Sequence, residues 1–231
     1  IINELQLSKD LIKFPSVTPI DAGAIKFLSN RLKKLGFNCK ILEFKGKGSK
    51  PIKNLYARIG KKGPNLCYAG HTDVVPPGNF KDWTVNPFKP IVKDEKLYGL
   101  GSNDAGISLC CLIMVFVHFY EKDDLNFNLI LLASAEEEKS GKNGIRSVIP
   151  KLPKIDLAII GEPTKMDVAI AEKGLIVFDL IVKGKSSHAA HHNDENPIYK
   201  ASKIVEQISK IKFPKKIYLF NNSNIFSCCS F

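Results

Sequence analysis

The sequence predicts an α/β protein: a mostly parallel sheet flanked by helices, followed by the start of a smaller α+β unit. Three observations predict it. The runs "NLCYAGHTDVV" (65–75), "NLILLASAEEE" (128–138) and "IDLAIIGEPT" (155–164) open as strands that are apolar throughout, the pattern of strands buried on both faces. They alternate with helix-like stretches, as in layered α/β sheets. From Gly174 the texture changes to one strand-helix-strand module, which divides the chain into 1–174 and 175–231.

Taken in order, residues 21–36 form an amphipathic helix with Ile25, Leu28, Leu32 and Leu35 on one face. Asp21 suits its start and Gly36 its end. "FNCKILEF" (37–44) and "KNLYARIG" (53–60) read as strands, joined by the lysine- and glycine-rich loop "KGKGSKP". "KLYGLGSND" (96–104) is a short strand with a glycine turn, and 105–119 is a buried helix. In the second module, "GLIVFDLIVKGKSSHAA" (174–190) reads as a long strand. A helix follows, with Asn196 as cap, Pro197 in the first turn and Ile198, Ala201, Ile204, Val205 and Ile208 as its apolar stripe. "KKIYLF" (215–220) starts another strand.

Composition narrows the function classes. At 44% hydrophobic and 25% charged, the 231 residues can bury a core. The longest apolar run, "ISLCCLIMVFV" (107–117), is well short of the ~18 residues of a membrane helix, and no secretory signal opens the sequence. The net charge of +11 comes from dispersed lysines, without an RNA-binding aromatic signature or a clustered basic helix, which argues against a nucleic-acid partner. The six cysteines show no zinc-ribbon or CxxC spacing and fit reduced thiols in a cytoplasmic protein.

Ligands of parallel sheets bind beyond the carboxyl ends of the strands. Here those ends carry His71 and Asp73, the run Glu136-Glu137-Glu138, and Glu162, with Asp104 at the start of the buried helix. One imidazole and several carboxylates suit divalent cations. Two such ions about 3.5–4 Å apart acidify a shared water and polarise a carbonyl, and a carboxylate such as Asp104 can bridge them. Each residue alone has a plainer role: Asp104 as a helix cap, the glutamates as a solvated face.

The motifs "GHTDVVPPG" (70–78), "LYGLGSNDAG" (97–106), "ASAEEE" (133–138), "GEPT" (161–164) and "GKSSHAA" (184–190), in this order, resemble the M20 family of zinc aminoacylases and peptidases. Within it they are similar to the branch of succinyl-diaminopimelate desuccinylases and acetylornithine deacetylases. The resemblance implies a zinc exopeptidase-like fold with a smaller dimerisation or lid domain. It implies two Zn2+ ions, with Co2+ as a substitute, and a homodimer. It implies amide hydrolysis of a small-molecule N-acyl amino acid: N-succinyl-diaminopimelate on the route to lysine, or alternatively acetylornithine on the route to arginine. By position, His71 and Glu162 resemble the ligands of one metal, Asp104 the bridging ligand, and Asp73 the residue that orients His71. The glutamate run has two registers. In the one the family pattern favours, Glu137 is the general base and Glu138 a ligand of the other metal; shifted by one, Glu136 is the base and Glu137 the ligand. His188 resembles the histidine that reaches across the dimer to stabilise an oxyanion.

The sequence departs from the family pattern in places. Leu100 stands where an arginine is usual, and Asp104-Ala105-Gly106-Ile107 replaces a more polar helix start. The family continues beyond residue 231 and supplies a final histidine ligand, whereas no histidine follows His192 here. This implies a fragment or truncated product, and an inactive remnant as the competing reading.

Overall fold

The structure is a computed structural model and describes residues 3–121, 126–139, 141–171, 177–186, 188, 190, 195–212 and 225–228. Its first elements are helices α1 (Glu4–Ile12) and α2 (Ala24–Lys34) and strands β1 (Asn38–Phe44), β2 (Ile52–Ile59) and β3 (Asn65–His71). A small two-stranded ribbon, β4 (Ile91–Lys93) with β5 (Lys96–Tyr98), precedes helix α3 (Gly106–Glu121). Then come β6 (Asn128–Ser134), the single turn α4 (Ile145–Val148), β7 (Leu157–Gly161), helix α5 (Pro197–Ser209) and β8 (Ile225–Cys228).

Six strands form one sheet in the order β1-β2-β6-β3-β7-β8. The pairs β3–β6, β3–β7 and β7–β8 are parallel, and β1–β2 and β2–β6 are antiparallel. The sheet is therefore mixed, and the reason lies in the connections. The short connections 45–51 and 60–64 each reverse the chain, so β2 runs antiparallel to β1 and to β3, and β6, which returns parallel to β3 between them, lies antiparallel to β2.

Strand β6 is buried at all seven positions, as its uninterrupted apolar run requires. Leu129 and Leu131 face a core built by Leu7 and Leu11 of α1, Leu28 and Leu32 of α2, and Leu109 and Ile113 of α3. Ile130 and Leu132 face a smaller core with Cys67, Ala69 and Val148 on the other side. Truncation at the centre of the larger core is expected to be severe. Leu131→Ala, at a residue with no exposure, should cost about 2–5 kcal/mol, read as a lowered urea midpoint.

Helix α2 begins three residues later than the sequence predicts, at Ala24, yet Asp21 still caps it: its carboxylate accepts from the amides of Gly23 (3.1 Å) and Ile25 (2.8 Å). Gly36 adopts φ +88°, the left-handed turn that ends the helix. Helix α1 is an addition to the sequence prediction. Asn3 caps it through Gln6 N at 3.0 Å, and Leu7, Leu11 and Ile12 anchor it.

The chain divides into two units, Ile1–Glu172 with Asn222–Phe231, and Lys173–Asn221. In the second, Asn196 accepts from Ile198 N at 2.9 Å and Pro197 opens α5, as the sequence predicts. Of the long strand predicted over 174–190, the described residues 177–186 form no strand, Val177 and Ile181 being 82% and 80% exposed, and residues 174–176, 187 and 189 lie outside the described residues. The further strand predicted to start at 215–220 lies outside the described residues. No helix among the described residues is long and apolar enough to cross a membrane.

Candidate metal centre

The sheet register brings the chemistry together. Asn54 of β2 pairs with Ser134 of β6, and Ser134 pairs with His71 of β3. Ala69 pairs with Ile160 of β7, and the same register carried two residues on sets position 71 opposite 162. His71 and Glu162 therefore leave adjacent parallel strands side by side at one edge of the sheet.

His71 has no exposure. Its Nδ1 lies 2.9 Å from the backbone carbonyl of Asp73 and 3.6 Å from the Asp73 carboxylate. That side of the ring is held by an acceptor, which leaves Nε2 facing the carboxylates. Nε2 lies 3.2 Å from Asp104, 3.6 Å from Glu162 and 3.9 Å from Glu137. Asp73 is buried and acts on the glutamate run as well as on His71. Its two carboxylate oxygens accept from the backbone amides of Glu137 (3.1 Å) and Glu138 (3.2 Å).

Asp104 sits in the turn before α3. Ser108, in the first turn of that helix, lies 2.6 Å from the Ala105 carbonyl and 2.8 Å from the Gly161 carbonyl, so one hydroxyl ties the Asp104 turn to the end of β7. Gly161 must be glycine: a Cβ there would collide with the ring and hydroxyl of Tyr68. The close packing of Tyr68 beneath β7 thus helps place Glu162.

The electrostatics show a site crowded with negative charge. Burial opposes protonation of His71. Hydrogen bonds to Asp104 and Asp73, with the charges of Asp73 and Glu162, outweigh that burial and push its pKa up to about 11. The hydrogen bond from His71 holds Asp104 below the usual carboxylate range. Burial, with repulsion from Asp104 and Glu137, pushes Glu162 up to about 7 against the attraction of His71. Burial raises Glu138 as well, joined by the charges of Asp104, Glu137 and Asp73 and opposed by His71.

These donors fit a divalent cation. Among the described residues, one donor atom each from His71, Asp104 and Glu138 lie within 4.8 Å of one another. Two ligands on one zinc ion are separated by at most two bonds, about 4 Å at zinc–ligand distances of ~2.0–2.2 Å. The His71–Asp104 and His71–Glu162 separations fall inside that limit. Imidazole nitrogen and carboxylate oxygen are both zinc donors, and a cation offsets the burial and the repulsion that raise Glu138 and Glu162.

Of the residues singled out in the sequence, the structure gathers His71, Asp73, Asp104, Glu137, Glu138 and Glu162. Glu136 turns elsewhere: it is buried, and its carboxylate accepts from Asn143 N at 2.8 Å. His188 belongs to the second unit, exposed, with Nδ1 accepting from Ala190 N at 3.2 Å. Supporting residues escaped the sequence reading. Ser16 donates to the Thr72 carbonyl at 2.7 Å, and Val17 forms a parallel bridge with Val74, so "PSVTP" lies along the loop that follows His71.

Residues 67–218 match the model of peptidase family M20/M25/M40. The chain belongs to this family. Among curated M20 relatives, a succinyl-diaminopimelate desuccinylase of Pelagibacter ubique is 42% identical over 96% of this chain and 61% of its own length. One of Wolbachia pipientis wMel is 40% identical over 92% of this chain and 55% of its own. This M20 chain thus spans about three fifths of the length of the curated relatives it matches. Among solved structures, an M20 family metallo-carboxypeptidase from Sulfolobus solfataricus aligns with a TM-score of 0.61 at 25% identity, over 70% of this chain and 37% of that one. The dipeptidase Dug1p of Saccharomyces cerevisiae aligns with a TM-score of 0.59 at 19% identity, over 69% and 38%, and supports the fold.

Proposed function

We propose that this M20 chain carries the metal centre of a zinc-dependent amidohydrolase that removes the succinyl group from N-succinyl-diaminopimelate, a step toward diaminopimelate and lysine. The observation that carries the reading is the convergence of His71, Asp104, Glu138 and Glu162 at one sheet edge, with Glu137 beside them. The 42% and 40% identities to desuccinylases support the choice of substrate.

In this reading His71 and Glu162 hold one zinc, Glu138 the other, and Asp104 both; cobalt serves as a substitute. Divalent ions there supply Lewis acidity toward the acyl carbonyl and lower the pKa of water. The Glu137 carboxylate takes a proton from the attacking water and delivers it to the amine nitrogen as the C–N bond breaks, acting as base and then as acid. The products are succinate and the free amine. Asp73 fixes the His71 ring and, through two backbone amides, the turn that carries Glu137 and Glu138. The burial and hydrogen bond of Glu136 favour this register over the shifted one. Residues 1–172, with 222–231 whose strand β8 pairs with β7, form the catalytic domain and 173–221 part of a lid. That lid pairs two copies so that the exposed His188 of one serves the oxyanion formed in the other.

Amine release from N-succinyl-diaminopimelate and from N-acetylornithine, with zinc and after chelation, tests the reading. The expected result is release from the succinyl substrate that chelation abolishes and zinc restores. Faster release from N-acetylornithine would move the substrate assignment, and release indifferent to chelation would overturn the metal reading.

A further inference from the structure

We infer that Glu136 is a positioning residue whose buried carboxylate, tied to the amide of Asn143, sets the direction in which Glu137 and Glu138 leave strand β6. The inference rests on the metal centre proposed above and concerns a glutamate that touches none of its donors.

Glu136 is only 4% exposed, and a buried carboxylate is tolerated when hydrogen-bond donors replace its water. Its Oε2 accepts from Asn143 N at 2.8 Å, while its own amide donates to Ser134 Oγ at 3.1 Å. The carbonyl of Asn143 is held in turn by the side-chain amide of the buried Asn54, at 2.8 Å. Gly144 completes the packing: a Cβ there would come within 2.7 Å of Ser134 Oγ and 3.4 Å of the Glu136 carbonyl. The segment 141–144 is therefore pressed against the glutamate turn and anchored to β2 behind it.

The turn is gripped from two sides. Asp73 accepts from the amides of Glu137 and Glu138, and Glu136 accepts from Asn143. The grip by Asp73 alone fixes two amides but not the backbone that precedes them. With Glu136 also pinned, that backbone enters the turn at a fixed point, which aims one following carboxylate at His71 and the next into the donor group. Three consecutive glutamates thus do three different jobs because each leaves the turn in a different direction. Asn54 and Asn143 belong to the same brace, although neither is acidic nor near the glutamates in sequence.

The test compares Glu136→Ala with Glu136→Gln, which keeps an oxygen acceptor for the Asn143 amide. The readouts are the visible absorption and affinity of Co2+ added to the protein, and hydrogen exchange at the Glu137 and Glu138 amides without metal. A group bonded directly to a metal ligand is typically worth about 10–100-fold in affinity, which is the upper bound for Glu136, one contact further out. Glu136→Ala is expected to weaken Co2+ binding by no more than that factor, shift the cobalt band and speed both amides, and Glu136→Gln to restore the wild-type band and exchange. Should Glu136→Ala fail to fold, Asn54→Ala releases Asn143 from its other side and is expected to shift the band in the same direction. An unchanged band and unchanged exchange in Glu136→Ala, or in Asn54→Ala where that variant stands in, overturn the inference, as does equal damage from Gln and Ala. A wild-type protein that takes up no Co2+ refutes the metal reading instead. Exchange then decides the brace alone, supported if both amides quicken in Ala and not in Gln, overturned otherwise.

Discussion

Asp104→Ala is expected to strip the protein of zinc, and to do so more completely than loss of any other single ligand. Asp104 approaches His71 Nε2 at 3.2 Å, belongs to the donor group with Glu138, and is about half exposed, open to an incoming ion. In the proposed two-zinc reading, its removal takes one donor from each ion. The plainer alternative is that Asp104 only caps α3. Losing a cap costs about 0.5–2 kcal/mol of stability and leaves a metal site intact. Zinc content after gel filtration, read beside the thermal midpoint, separates the two. A variant with its zinc gone and its midpoint in the presence of chelator nearly unchanged supports the ligand. One that keeps tightly bound zinc and melts lower supports the cap.

Glu137→Gln is expected to do the opposite, keeping the metal and losing turnover by about 10²–10⁴-fold, the usual worth of a positioned general base. Glutamine has nearly the same shape and still accepts hydrogen bonds, but it cannot take a proton. Glu137 is about half exposed and lies 3.9 Å from His71 Nε2, and its amide is fixed by Asp73. Zinc content and the rate of succinyl release, measured on the same preparation, check the expectation. Loss of zinc in this variant would make Glu137 a ligand and favour the register with Glu136 as base.

The strand ends were legible because an apolar run that stops at charged residues is visible in one dimension. His71, Glu162 and the glutamate run all stand at such stops, and Asp104 stands at the entry to an equally apolar helix. Their neighbours were not legible. That Asn54, Ser134 and His71 share a row is a matter of pairing between strands far apart in sequence. A single asparagine inside an apolar strand gives no sign of the loop it will hold. Ser108 reads as an ordinary helix residue until β7 lies beside it. The helix α1 was missed because nine residues with four buried positions make a weak pattern, and its cap, Asn3, becomes informative only once the helix is known. Residues 177–186 show the converse: their composition suits a strand, yet they form none, since a strand depends on pairing that composition does not encode.

The most direct measurement is the zinc content and zinc affinity of the wild-type protein, by calorimetric titration after chelator treatment and by elemental analysis. Saturable zinc uptake that releases protons, since the donors must be deprotonated to bind, and that is lost when both His71 and Asp104 are replaced by alanine, is the expected result. Uptake no greater than that of the doubly substituted protein would contradict the metal centre and the hydrolytic function proposed with it.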